Sequence, residues 1–109
     1  MSYTRCDVVW SDDPFKEDED AGRRWLVLNN QTHPFRSKQY MAVALTTSGY
    51  DDALTVESEN WNEGGVPFQS YVLPWAVQSP IDEDIERRQG SLRSDFVDDV
   101  VEEVIGYIR

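Results

Sequence analysis

The chain has 109 residues, enough for one modest hydrophobic core and too few for two domains, so we expect a single domain over residues 1–109. It carries 21 acidic residues against 10 basic ones, and this net charge of −11 is opposite in sign to that of ordinary nucleic-acid binders. The single cysteine excludes an internal disulfide framework, and no apolar run approaches the roughly 20 residues that span a bilayer. We therefore expect a soluble, cytoplasmic protein with no membrane partner.

The charged residues indicate an unusual environment. Eight of the 10 cations are arginine and only two are lysine, while 39% of the residues are still hydrophobic. The self-repulsion of such a surface is screened in molar salt, where the Debye length is about 3 Å. The composition therefore favours a salt-accumulating source such as a halophilic archaeon. An acidic surface that serves solubility alone is the alternative.

Runs of strand-forming residues predict a mainly β fold. They lie at residues 5–10, 23–30, 39–47, 53–57, 66–73 and 87–92, and residues 75–79 continue the fifth run. Because Pro74 cannot donate a ladder hydrogen bond, we expect a bulge or an edge position there. The segment at 60–65 ends in Gly-Gly and is predicted to be a connection, and residues 80–86 are predicted to form one turn of helix.

One clear helix is predicted over residues 94–108. Ser94 is a good N-cap, and Asp95 suits the first turn. Seven apolar side chains fall on one stripe at helical spacing, which we expect to pack against the sheet. They are Phe96, Val97, Val100, Val101, Val104, Ile105 and Ile108. Strands followed by one terminal helix predict a small, strongly bent sheet or barrel.

Two adjacent arginines precede the apolar part of the second predicted strand. Arg23 and Arg24 follow a long acidic loop at residues 11–22, and Gly22 allows the chain to turn from that loop into the strand. In the simpler interpretation, the segment is only a buried strand. In the functional interpretation, it carries an arginine to a position where a phosphate meets a local positive charge in a negative protein.

Composition argues against several catalytic arrangements. His33 is the only histidine, which disfavours a Ser-His-Asp triad, a Cys-His pair and a two-histidine zinc site. The glycine patterns of nucleotide-binding loops are absent from the sequence. The pairs Asp12-Asp13 and Asp51-Asp52 could hold a hard cation, but in a chain with 21 acids they are better explained as solvated surface. We expect neither a metal nor a cofactor.

A route to RNA cleavage without a metal is still open. RNA can be cleaved through its own 2′-hydroxyl if the protein moves protons and stabilises a pentacoordinate phosphorane. A guanidinium is a good bidentate partner for phosphate oxygens, and threonine hydroxyls add neutral donors. Arg24 and the pair Thr46-Thr47 supply these groups if the sheet brings the two strand ends together. Otherwise Thr46 and Thr47 are ordinary β-branched strand residues.

Three segments in chain order resemble the PemK/MazF family. They are Asp-Val-Val-Trp at residues 7–10 followed by Asp13-Pro14, Ala-Gly-Arg-Arg at residues 21–24, and Val-Ala-Leu-Thr at residues 43–46. The predicted helix after Gly-Ser-Leu at residues 90–92 also fits this pattern. The similarity is co-linear over nearly the whole chain, and its strongest parts are the Gly-x-Arg entry to the second strand and the threonine that closes the third.

The family consists of ribosome-independent, mRNA-cleaving toxins of toxin–antitoxin pairs. The resemblance implies a small SH3-like β-barrel with a C-terminal helix, working as a homodimer. It further implies metal-independent cleavage of single-stranded RNA to a 2′,3′-cyclic phosphate, and neutralisation by a cognate antitoxin. By position, Arg24 matches the catalytic arginine and Thr46 the catalytic threonine. The implied RNA-binding residues are Arg23, Lys16, Thr47, Ser48, Trp75 and Gln78.

Two other functions are compatible with the same barrel. The chain has Trp25 where the family usually has proline, and a barrel without activity that binds an antitoxin-like partner is one alternative. A gyrase inhibitor of the CcdB type is the other. CcdB proteins act through a Trp-Gly-Ile-like C-terminus, whereas this chain ends in Ile-Gly-Tyr-Ile-Arg at residues 105–109. In either case Arg24 and Thr46 would have no catalytic role.

Overall fold

Seven antiparallel strands form one curled sheet, a half-barrel closed by a C-terminal helix, in a computed structural model that describes residues 2–12 and 22–109. The strand order across the sheet is β4-β6-β3-β2-β1-β7-β5. The elements are β1 (Asp7–Asp12), β2 (Gly22–Val27), β3 (Ala42–Thr46), β4 (Leu54–Val56), β5 (Trp61–Gly64), β6 (Ser70–Gln78), β7 (Ile85–Leu92) and α1 (Ser94–Gly106). Single 3₁₀ turns lie at Ser58–Asn60 and Asp82–Asp84. This architecture confirms the predicted mainly β fold with a terminal helix.

The main core lies between one face of the sheet and α1. Because side chains alternate along a strand, Val8, Leu26 and Val43 lie side by side on this face of three neighbouring strands. The first turns of α1 cover them with Phe96, Val97 and Val100. The opposite face has a smaller cluster, made by Val9, Val27, Tyr40 and Ile85. The half-barrel is therefore held by a row of β-branched and leucine side chains under one helix.

Three details of the sequence prediction are wrong. Residues 61–64 form β5, which pairs with β7 at the edge of the sheet, where a connection was predicted. The N-cap of α1 is Arg93, whose side chain makes no capping hydrogen bond, and Ser94 is already helical. The sheet does not cover the whole apolar stripe predicted for the helix, because Ile108 lies beyond the end of α1 and is 77% exposed.

The proline in β6 produces the bulge that the sequence predicts. Val77 pairs with Val43 and Leu73 with Ala44, so Pro74, Trp75 and Ala76 lie between two consecutive partners on β3. Pro74 is buried, and Trp75 is exposed. The bulge therefore turns a large aromatic ring outwards from β6, which lies between the edge strand β4 and β3.

Gly22 at the start of β2 allows the Trp10 ring to lie against the backbone. A Cβ atom at this position would overlap the Trp10 indole and lie 2.8 Å from the carbonyl oxygen of Ser11. Trp10 and Gly22 are diagonal neighbours on β1 and β2, because Trp10 pairs with Arg24 and Asp12 with Gly22. The glycine is required here for space.

Replacing Gly22 with alanine is expected to destabilise the protein by about 1–3 kcal/mol, since a methyl group is forced into an occupied space. Urea unfolding in molar KCl measures the change in the free energy of unfolding. Gly106→Ala is the matched control, because nothing lies within 4 Å of a Cβ at that helical position. Equal stability of Gly22→Ala and wild type would contradict the packing described for Trp10.

Candidate functional site

Arg24, Trp10 and Arg87 form a row across three neighbouring strands. Arg24 on β2 lies opposite Trp10 on β1, and Trp10 lies opposite Arg87 on β7. Directly opposite residues in antiparallel strands place their side chains on the same face of the sheet. Leu26 follows on β2 with the same orientation and belongs to the main core. The row therefore lies on the same face of the sheet as the main core, next to the core residue Leu45.

Two aromatic rings flank the Arg24 guanidinium. Its Cζ atom lies 4.5 Å from the centre of the Phe68 ring and 5.1 Å from the centre of the Trp10 ring. The Cζ atom of Arg87 lies 5.2 Å from the centre of the same Trp10 ring. Each distance is within the range of a cation–π interaction. The rings shield Arg24 from water and restrict where its charge can lie.

Gln89 fixes the orientation of Arg24 through a neutral contact. Arg24 Nε donates a hydrogen bond to Gln89 Oε1 at 3.0 Å. Gln89 is the extra residue of a bulge, because Val8 pairs with Gly90 and Val9 with Arg88. The bulge brings the amide to Arg24 and leaves the two Nη groups of Arg24 as donors for a ligand.

Arg24 is charged in a position that disfavours charge. Burial, and then the neighbouring charge of Arg87, lower the pKa of Arg24 below that of an ordinary arginine. No carboxylate among the described side chains lies within ion-pair distance of it. By contrast, Arg88 is paired with Asp7 and Glu63, and these bonds raise its pKa. The site therefore holds two neighbouring positive charges: among the described side chains, Arg24 has no carboxylate partner and Arg87 has only Glu86, at 3.6 Å. An anionic group would stabilise this environment.

The end of β3 lies next to this row. Arg24 pairs with Leu45, and Thr46 is the next and last residue of β3. The sheet therefore brings together the two strand ends named by the sequence. Strand alternation directs Arg24 and Thr46 to opposite faces at this end. The backbone N–H of Ser48 donates to Thr46 Oγ1 at 3.1 Å, and Thr47 and Ser48 are exposed.

The other residues suggested by the resemblance are not part of the Arg24 row. Gln78 pairs with Ala42, at the opposite end of β3 from Leu45. The Trp75 ring makes edge contacts with Tyr50 at 6.1 Å and Tyr107 at 6.0 Å between ring centres. Arg23 is exposed and directly precedes Arg24 on β2, where it pairs with Ser11. Lys16 lies outside the described residues.

Sequence reasoning did not identify Phe68, Arg87 and Gln89 as site residues. Phe68 lies in a predicted strand, where an aromatic side chain is expected to be buried. In the structure it precedes β6 and is 43% exposed. Arg87 was recognisable only as one of eight arginines. The role of Gln89 depends on the bulge in β7, for which the sequence has no signal.

No metal site or membrane helix is found in residues 2–12 and 22–109. Within those ranges, no three side chains of His, Cys, Asp or Glu are grouped as metal ligands would be. No helix there is long and apolar enough to cross a membrane. His33 lies in the connection before β3, where its Nδ1 accepts a hydrogen bond from the Phe35 backbone at 3.0 Å.

Comparison with known sequences gives no match: no protein-family model and no curated protein matches this chain. Comparison with solved structures gives matches over almost the whole length. A MazE–MazF structure from Deinococcus radiodurans is similar with a TM-score of 0.73 and 18% identity, over 99% of this chain and 96% of the other. An endoribonuclease in complex with its cognate antitoxin, from a mycobacterial species, is similar with a TM-score of 0.72 and 15% identity, over 96% and 94%.

The toxin MazF-mt6 from Mycobacterium tuberculosis is similar as well, with a TM-score of 0.67 and 17% identity over 93% of both chains. Identities of this size show a shared fold. The chain therefore has the fold of MazF toxins, in agreement with the resemblance seen in the sequence.

Proposed function

We propose that this protein is an endoribonuclease toxin of the MazF type, which cleaves single-stranded mRNA without a metal. The 2′-hydroxyl of the RNA attacks the adjacent phosphate and leaves a 2′,3′-cyclic phosphate. The observation that carries this proposal is the Arg24 guanidinium, which two aromatic rings shield and an amide orients. The MazF fold supports it, because one protein with that fold is an endoribonuclease.

In this proposal Arg24 binds the scissile phosphate. Its Nε is held by Gln89, so the two Nη groups donate to non-bridging oxygens in a bidentate arrangement. Negative charge on these oxygens grows in the phosphorane, and a guanidinium that is already in place stabilises it without reorganisation. The Trp10 and Phe68 rings exclude water from one side of the phosphate, which strengthens this interaction.

Proton transfer in this reaction is assigned to water. Arg24 stays protonated throughout, because the guanidinium of an arginine is not deprotonated in proteins. The proton that the 2′-hydroxyl loses on attack passes to water, and the leaving 5′-oxygen takes a proton from water when the phosphorane collapses. Thr46 is the last residue of β3 and lies on the opposite face from Arg24. An RNA strand that crosses this end of the sheet passes from one face to the other and contacts both residues. The Thr46 hydroxyl hydrogen is available to the RNA because Thr46 Oγ1 acts as acceptor towards Ser48.

The net charge of −11 fits this function if RNA binding does not depend on a basic surface. At high salt, counterion release contributes little affinity. Stacking of bases on aromatic rings is less sensitive to salt, and Phe68 and Trp75 are 43% and 41% exposed. Arg23, Lys16, Thr47, Ser48 and Gln78 are proposed as further RNA contacts from the resemblance.

Protein partners are part of the proposal. Besides Trp75, the exposed apolar side chains include Val77, Tyr107 and Ile108, which lie on β6 and at the C-terminus. Exposed apolar groups of this kind favour a protein contact. We propose a homodimer and a cognate antitoxin as the partners. One MazF-fold neighbour was solved with its cognate antitoxin, which supports the second of these.

Arg24→Lys is expected to reduce RNA cleavage at least 100-fold, because lysine keeps the charge but loses the bidentate fork. Cleavage of a long single-stranded RNA in molar KCl measures the effect, and circular dichroism melting checks the fold. Arg93→Lys is the matched control, since Arg93 lies at the start of α1 and pairs with Asp95. Wild-type cleavage by Arg24→Lys would refute the catalytic assignment.

Gln89→Glu is expected to weaken RNA cleavage without lowering stability. The substitution keeps the acceptor atom but introduces a carboxylate 3.0 Å from Arg24 Nε, which neutralises the guanidinium. Gln89→Met removes the acceptor without adding charge, and its loss of cleavage should be smaller. A Glu variant that cleaves as well as the Met variant would show that the neutrality of this contact has no functional importance.

A further inference from the structure

The arginine row contains a second guanidinium to which the proposed reaction assigns no role. Arg87 reaches over the Trp10 ring from β7, while Arg24 reaches over it from β2. Both Cζ atoms lie at nearly the same distance from the ring centre, at 5.2 Å and 5.1 Å. The aromatic ring therefore attracts two cations to one small region although they repel each other.

In the described part of the chain, acidic neighbours relieve this repulsion only weakly, although the sequence supplies acidic residues in excess. Arg5 is paired with Asp98 at 2.6 Å and Arg88 with Asp7 at 2.8 Å. In the described part of the chain, the only carboxylate within ion-pair distance of Arg87 is its sequence neighbour Glu86, at 3.6 Å. Both side chains of that pair are about half exposed, so the pair is weak and screened by salt.

We propose that Arg87 is a second phosphate-binding residue, which contacts a phosphate next to the scissile one on the same RNA strand. This inference rests on the proposed function, because it requires RNA to lie at Arg24. Arg24 has an amide partner and is shielded by two rings, whereas Arg87 is exposed and flanked by one ring. Arg24 is therefore placed for the reacting phosphate and Arg87 for a neighbouring phosphate that stays solvated.

The two roles differ in their kinetic consequences. A contact to a phosphate that does not react is made equally in the ground state and the transition state, so its loss raises KM and leaves kcat nearly unchanged. A contact to one phosphate also contributes to the salt dependence of binding. For single strands, each neutralised phosphate contributes about 0.7 to the slope with which log K falls as log salt concentration rises.

The test compares wild type, Arg87→Gln and the control Arg93→Gln. Both variants remove one positive charge from an arginine of similar exposure, 56% and 57%, so the change in net charge is the same. Affinity for a 2′-O-methylated RNA, which lacks the attacking hydroxyl and is not cleaved, is measured by fluorescence anisotropy over a range of KCl concentrations. Steady-state cleavage of unmodified RNA gives kcat and KM, and circular dichroism melting checks each fold.

Arg87→Gln is expected to bind about tenfold more weakly than wild type at the lowest salt, because a charge-assisted contact is lost. Its salt slope should be smaller by about 0.7, with KM raised and kcat within about twofold of wild type. Arg93→Gln should keep the wild-type slope and KM. Wild-type cleavage together with equal slopes in all three proteins would overturn the role of Arg87 and leave the proposed function standing. A folded wild type that neither binds nor cleaves RNA would overturn both.

Discussion

The Trp10 ring lies on the backbone of Gly22 and carries the guanidinium groups of Arg24 and Arg87 on its surface. The position of this ring fixes the position of both charges. It depends in turn on the absence of a side chain at Gly22 and on the pairing of β1 with β2 and β7. The core under α1 holds these strands in place but contributes no group to the site. The arginine row is therefore a feature of the sheet itself.

The electrostatic setting of the row is compatible with the RNA binding that we propose for this acidic protein. The chain has 21 acidic residues, and carboxylates pair with Arg5, Arg88 and Arg93. Arg24 is held instead by the neutral amide of Gln89. A local positive potential is thereby retained, because no carboxylate among the described side chains lies within ion-pair distance of Arg24. In the proposed function, an RNA phosphate takes that position. The repulsion from distant acidic groups acts over a longer range and is screened by salt.

Much of the fold could be predicted from the sequence, because β-branched runs and the apolar stripe of α1 are strong periodic signals. β5 was missed because Asn62 and Glu63 are polar and the strand lies at the sheet edge, where pairing with β7 rather than hydrophobicity defines it. Gly22 and Arg24 were recognisable from the resemblance. Gln89 was not, since a bulge in β7 decides which side chain reaches Arg24, and bulges follow from pairing between distant strands.

The central claim is that a shielded, neutral-partnered Arg24 acts on RNA through the substrate's own 2′-hydroxyl. The most direct measurement incubates the purified wild-type protein with a long single-stranded RNA in molar KCl and EDTA, and identifies the fragment ends by mass spectrometry. We predict fragments that end in a 2′,3′-cyclic phosphate, and no fragments from the 2′-O-methylated RNA. A folded protein that yields no fragments, or that cleaves only when a divalent metal is added, would contradict this account.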